Sequence, residues 1–242
     1  MRRKLATNRD SSQLELGLPK AKSPHGGKRA GAGRPKRANR SDSPHRVRPT
    51  HRKRHPVHIV LRAVKDVPRL RRRNTFAAVR TAMRKIGARL AFRVAHASIQ
   101  KNHLHFLVEA EDRAALTAGM RAFAISLARR INIACGRSGQ VFAHRYHATV
   151  ITTPRQARNT LAYVLNNWRH HNEDEGSLRS RTAALDPYAT GLAFDGWREA
   201  SAWASPGFET LPAVTPTTWL LTTGWRLHHP LISVHEVPKL HA

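Results

Sequence analysis

The stretch Asn102-His103-Leu104-His105-Phe106-Leu107-Val108-Glu109 constrains this chain more than any other. With Ser98-Ile99-Gln100-Lys101 before it, it reads as the turn and second arm of a β-hairpin. Side chains on a strand alternate between faces, so Leu104, Phe106 and Val108 point one way and His103 and His105 the other. The two imidazoles stand about 7 Å apart along the strand and can converge on one metal ion; imidazole nitrogen suits first-row divalent metals. Alone the pattern is weak: the chain has 16 histidines, and short motifs recur by chance. His144 and His147 are three residues apart, which on a strand puts them on opposite faces.

The segments around this strand predict a fold. Upstream, Val57, Ile59 and Leu61 alternate with His58, Val60 and Arg62 as a mostly apolar strand. A basic connection follows at residues 68–74, and Phe76, Val79, Met83 and Ile86 then recur at helical spacing, closed by Gly87. Residues 91–100 form the first arm of the hairpin and Lys101-Asn102 its turn. Asp112 has the chemistry of an N-cap for a long helix with Leu116, Met120, Phe123, Leu127 and Ile131 as its buried stripe. Gly136 and Gly139 end that helix, residues 141–151 form a further strand, and Pro154 opens a last helix. The first six elements predict an α+β fold, a ferredoxin-like split βαβ antiparallel sheet with helices on one face. The seventh is a late helix whose cargo decides the function.

That helix runs over residues 154–171. At 3.6 residues per turn, Leu161, Val164, Leu165 and Trp168 share one face. Tyr163 falls on the opposite side, with Asn167 one turn along and Asn159 and His170 nearby. A tyrosine hydroxyl can attack phosphorus if a cation stabilises the charge building on the phosphoryl oxygens. The strand histidines can hold that ion, and an amide oxygen of Asn167 can complete its shell. Rival chemistries lack their parts. The chain has no Gly-rich phosphate loop and no Gly-x-Ser-x-Gly elbow. Acidic residues in the folded body are few and clustered (Glu109, Glu111, Asp112; Glu173, Asp174, Glu175), which argues against a carboxylate two-metal nuclease.

Charge names the partner class. Lys plus Arg total 43 against 15 Asp plus Glu, a formal charge of +28, and such an excess implies a polyanion. Residues 1–55 hold 17 Lys/Arg and 3 Asp/Glu, and the remaining 187 residues hold 26 and 12, so each part is net +14. The arm contains no Phe, Trp or Tyr; it cannot offset its ordering entropy by burial and is expected to be disordered when alone. Within it, residues 31–37 resemble an AT-hook core, which would send Arg34 and Lys36 into an A·T-rich minor groove. The plainer alternative is a generic basic tail on phosphates. In the body, Arg71, Arg72, Arg73, Arg129 and Arg130 are expected to track phosphates.

The single cysteine, Cys135, excludes an internal disulfide and any multi-cysteine zinc site. No run of 18 apolar residues exists and the basic N-terminus lacks an apolar segment, so no membrane span or secretory signal is expected. A protein of the bacterial cytoplasm, associated with the nucleoid, is the expectation. The division expected is a disordered arm over 1–55, a domain over 56–175 and an appendage over 176–242. In the last, Phe194, Trp197, Trp203, Trp219 and Trp225 are apolar anchors, and residues 217–225 form a short helix or strand.

Asn102-His103-Leu104-His105 before a hydrophobic strand, and Tyr163-Val164-Leu165-Asn166-Asn167 on a late helix, resemble the HUH single-tyrosine transposases. Within that family the chain looks most like the REP-associated tyrosine transposases. His55-Pro56-Val57-His58 and Arg145-Tyr146-His147 also fit, so the resemblance covers roughly residues 55–172. It implies that His103 and His105 bind Mg²⁺ or Mn²⁺ with Asn167 as third ligand. Tyr163 would be the nucleophile, leaving a 5′-phosphotyrosyl link and a free 3′-hydroxyl on single-stranded or hairpin DNA, such as repetitive extragenic palindromes. Many relatives have Asn-Pro where this chain has Asn167-Trp168. Tyr146 and Tyr188 are rival nucleophiles, expected in structural or substrate-contact roles. The chain would act as a monomer or homodimer. The competing reading is a non-catalytic DNA- or RNA-binding protein that keeps the fold and uses Tyr163 for packing or stacking.

Overall fold

The computed structural model describes residues 51–175, 184–199 and 209–238. Arg34, Lys36 and the rest of the arm up to residue 50 lie outside the described residues, as does Trp203. Five strands make one antiparallel sheet in the order β2-β3-β4-β1-β5. They are β1 (Val57–Arg62), β2 (Ala88–Arg89), β3 (Phe92–Ile99), β4 (His103–Ala110) and β5 (His147–Val150). The helices are α1 (Arg73–Ile86), α2 (Arg113–Ala134) and α3 (Pro154–His170). With the two-residue β2 set aside, β1-α1-β3 and β4-α2-β5 are the two halves of the expected split βαβ, and β4 and β1 lie side by side in the sheet interior.

The two faces of the sheet are covered by different helices. Val57, Ile59 and Leu61 of β1 and Leu104, Phe106 and Val108 of β4 pack with Val79, Met83, Met120, Phe123 and Leu127 of α1 and α2. On the other face α3 brings Leu161, Ala162, Val164 and Leu165 to Leu107 and Ala95. Strand alternation therefore delivers His58 and Arg62 of β1, and His103 and His105 of β4, to the α3 side. Pro154 and Asp112 stand at the helix starts as expected, and Thr153, which sequence reasoning did not single out, caps α3. Thr153 Oγ1 accepts from Gln156 N with Pro154 at the first turn, and Asp112 Oδ1 accepts from Ala115 N at 2.7 Å.

Two sheet irregularities matter. The β3–β4 register shifts between Val94 and His96, and the bulge turns both Ala95 and His96 toward the α3 side, where Ala95 joins the α3 core and His96 meets Phe194. The strand expected over 141–151 is shorter. Between the pairs Ala63↔Phe142 and Val60↔His147 the returning chain has two more residues than β1, so it bulges out of the ladder. Gln140 helps hold that bend, its amide donating to the carbonyls of Phe142 and Ala143.

Buried His96 sets a pH dependence. Its Nδ1 lies 3.2 Å from Thr190 Oγ1, and burial holds its pKa down to about 4, with Asp195 and Glu109 opposing. Because the folded value lies below the unfolded one, the unfolded chain takes the proton first, and stability falls as pH drops from about 6.5 towards 4. The expected loss is about 3 kcal/mol for this group, read as a fall in denaturation midpoint between pH 7.5 and 4.5 that His96→Gln makes shallower.

Residues after α3 cover its back and the edge of β3. Ile99 N donates to Tyr188 O, and Thr190 N to Ala97 O. Phe194, Trp197, Trp225, Ile232 and Val234 join the α3 core, with Phe194 stacked on Trp225 at 5.9 Å. Glu109, buried on β4, accepts from the backbone N–H groups of Thr217 and Thr218 just before a helical stretch. That stretch is π-helical over Leu220–Gly224 and continues as the short α4 (Trp225–His228), so the segment expected as helix or strand is helix.

Candidate active site

A cleft of about 1460 Å³ opens between β1, β4, β5 and the first half of α3. The histidine strand and the tyrosine helix meet there. The rings of His103 and His105 lie 4.6 Å apart, edge to face, and the Tyr163 ring stands edge to face on His105 at 5.3 Å. Asn167, one turn after Tyr163, is fully buried beside it. His58 Nε2 lies 3.0 Å from His105 Nδ1, and its ring also meets the Tyr163 edge at 5.9 Å.

The polar atoms at this corner show what it lacks. His105 Nε2 and both Asn167 amide atoms, Oδ1 and Nδ2, are buried without a hydrogen-bond partner, and such groups are costly unless something occupies them. His103 has its other nitrogen settled: Nδ1 lies 2.8 Å from Asn102 Oδ1, an acceptor only, so Nδ1 carries the proton and Nε2 presents its lone pair. Among the described residues no three His, Cys, Asp or Glu side chains gather as a metal cluster. The donors expected from the sequence, two imidazoles and an amide oxygen, have the chemistry that suits a divalent ion keeping waters or substrate oxygens in its other positions.

Electrostatics suits the same use. Burial, then neighbouring imidazoles or Arg62, pushes His58 and His103 down to about 4, and burial with His58 and His103 takes His105 well below the ordinary histidine range. All three rings are therefore neutral at pH 7, the state a metal ligand needs. Burial raises the Tyr163 phenol above its usual value, offset in part by the Asn167 amide beside it. The amide approaches without a full hydrogen bond. The phenol thus holds its proton at neutral pH and needs assistance to act as a nucleophile.

The other expected residues divide. Tyr146 packs against the α1–α2 core, and Tyr188 lies under the Arg71 guanidinium at 4.5 Å and against Phe76, so neither lines the cleft. Arg71, expected on the phosphate-tracking surface, is buried. Its two terminal nitrogens bind Asp186 at 3.0 and 2.8 Å, and one also donates to Ile99 O at 2.9 Å. Its charge is spent inside the protein, with Glu173 at 3.8 Å on its Nε. Arg71→Ala is expected to lower stability by about 3–5 kcal/mol, because Asp186 is left buried and unpaired; exposed Arg72→Ala should shift the urea midpoint little. Arg72 and Arg73 are exposed at the start of α1, and Arg129 is exposed on α2, in the layer across the sheet from the cleft.

Sequence reasoning did not single out the cleft's own cations, Arg62 on β1, Lys101 in the hairpin turn and Arg155 at the start of α3. Arg62 had a signal: it lies four residues after His58, on the same strand face. His171 was missed too, its ring 5.3 Å from His103.

Residues 51–167 match the family described as "Transposase IS200 like". Among solved structures, the chain is similar to a REP-associated tyrosine transposase bound to a REP hairpin, at 15% identity and TM-score 0.43, over 52% of this chain and 73% of that one. It is also similar to a proposed transposase from Deinococcus radiodurans R1, at 13% identity and TM-score 0.35, over 44% and 85%. No curated protein sequence matches it. Among the described residues no helix is long and apolar enough to cross a membrane.

Proposed function

We propose, from the match of residues 51–167 to the IS200-like transposase family, that the cleft cuts and rejoins single-stranded DNA through Tyr163. The Tyr163 oxygen attacks a backbone phosphorus, the bond from phosphorus to O3′ breaks, and the phosphate stays on the tyrosine as a 5′-phosphotyrosine. The phenol proton is lost and the departing O3′ gains one, so the strand ends in a free 3′-hydroxyl. Attack by a 3′-hydroxyl on the phosphotyrosine reverses these steps and rejoins DNA without an external energy source.

The observation that carries this reading is the meeting of Tyr163 with His105, whose buried Nε2 has no partner. His103, His105 and Asn167 are the residues that would hold Mg²⁺ or Mn²⁺, and a bound ion would supply charge stabilisation at the phosphoryl oxygens. Neutral imidazoles leave the metal affinity intact at pH 7. Arg62, Lys101 and Arg155 would guide the strand by its phosphates, each expected to contribute about one unit to the salt slope of binding.

A hairpin-flanked single strand with Mn²⁺ or Mg²⁺ tests it. The expected products are a free 3′-hydroxyl fragment and a protein-linked fragment, both abolished by chelation. Salt-sensitive binding with no metal-dependent incision would favour instead a DNA- or RNA-binding protein that keeps the fold.

A further inference from the structure

His58 reaches the cleft from β1, and its ring meets both His105 of the histidine strand and Tyr163 of the tyrosine helix. It sits on β1, whose register against β4 pairs Val60 with His105 and His58 with Leu107. His58 is thus the diagonal neighbour of His105 on a shared face, a position from which long side chains meet. The rings stack at 5.2 Å and 16°, with His58 Nε2 and His105 Nδ1 at 3.0 Å. Two neutral rings at that distance share one proton, and the choice has consequences. If His58 donates, His105 must carry its own proton on Nε2, a buried N–H with no acceptor, and orphaned buried N–H groups are rare and cost about 1–3 kcal/mol. If His105 Nδ1 donates, its buried Nε2 is a bare lone pair, as the Nε2 of His103 is when Nδ1 carries that ring's proton. His58 then keeps its N–H on Nδ1, and its ring is only partly buried, so water can accept from it.

We propose that His58 is a positioning residue: it accepts from His105 Nδ1–H, locks that tautomer and ring orientation, and so keeps His105 Nε2 free as a ligand while bracing the Tyr163 ring. The inference rests on the reading above that His105 binds a divalent ion, since it names the group that makes this possible.

Histidine-selective ¹⁵N labelling of the full, metal-free chain at pH 7.5 tests the tautomer directly, with His105→Ala identifying the His105 signals. The expected result is His105 protonated on Nδ1; protonation on Nε2 overturns the proposal. Mn²⁺ affinity, followed by titration of free-Mn²⁺ electron paramagnetic resonance, tests the consequence. His58→Phe keeps a ring but loses the acceptor, and is expected to weaken binding about 10–100-fold. His58→Gln, whose amide oxygen can accept, should recover most of that loss. If His58→Phe binds like the unaltered protein, or His58→Gln and His58→Phe are equally weak, the positioning role is wrong. If instead the unaltered protein binds no Mn²⁺, or binds as well in His105→Ala, the metal reading fails and the tautomer measurement alone judges His58.

Discussion

Tyr163→Phe is expected to lose the covalent DNA adduct altogether and to cut at least about 10³-fold more slowly, a loss of about 4 kcal/mol in transition-state stabilisation. DNA affinity should stay within about twofold. The substitution removes one oxygen and keeps the ring that stands on His105 and His58, so α3 has no reason to move. In the proposed reading binding is carried elsewhere, by Arg62, Lys101 and Arg155, which line the cleft, and by a chain of net charge +28, and phosphate neutralisation of this kind does not depend on a phenol. Gel-resolved cleavage beside an equilibrium binding titration separates the two effects. A variant that still forms an adduct would place the nucleophile on another side chain.

The second large effect is expected from His105→Ala, alone or with His103→Ala. On the proposed role of His105 as a metal ligand, its loss should exceed the about 10–100-fold change typical of outer-shell substitutions, so cleavage should fall by more than about 100-fold while salt-sensitive binding persists. Stability should not fall with it. His105 is buried with its Nε2 unpaired, so removing the ring takes away an unsatisfied polar group as well as some packing. The apo variant should therefore unfold within about 1 kcal/mol of the unaltered protein in urea. A fall in activity matched by a collapse of stability would mean that His105 is a structural residue.

The placement of the candidate site's residues could be read from the sequence because His103, His105 and Tyr163 lie on regular elements with simple periods. Alternation puts His103 and His105 on one face, and the helical period puts Asn167 one turn from Tyr163, opposite Leu161 and Leu165. The same arithmetic recovered the core stripe of α2 and its cap at Asp112. What stayed hidden depends on contacts between residues far apart in the chain. Arg71 sits in a run of three arginines that looks solvated, yet Asp186, 115 residues later, draws it inside. His58 was placed correctly on a strand, but its approach to His105 follows from the β1–β4 register, which local pattern does not specify. The bulge before β5 has no local signature beyond Gly139 and Gln140. The role of Glu109 in anchoring residues 217–218 required knowing where the tail returns.

The account rests on one phenol acting beside two imidazoles, and the most direct test is to locate the bond it forms. Trypsin cuts after Arg158 and Arg169, which isolates Tyr163 on residues 159–169 and leaves Tyr146 and Tyr188 on other peptides. Mass spectrometry of the protein–DNA adduct, trapped with Mn²⁺ and trimmed by nuclease, should find the nucleotide phosphate on Tyr163. Finding it on Tyr146 or Tyr188, or finding metal-dependent strand cleavage with no protein-linked phosphate, would contradict the account.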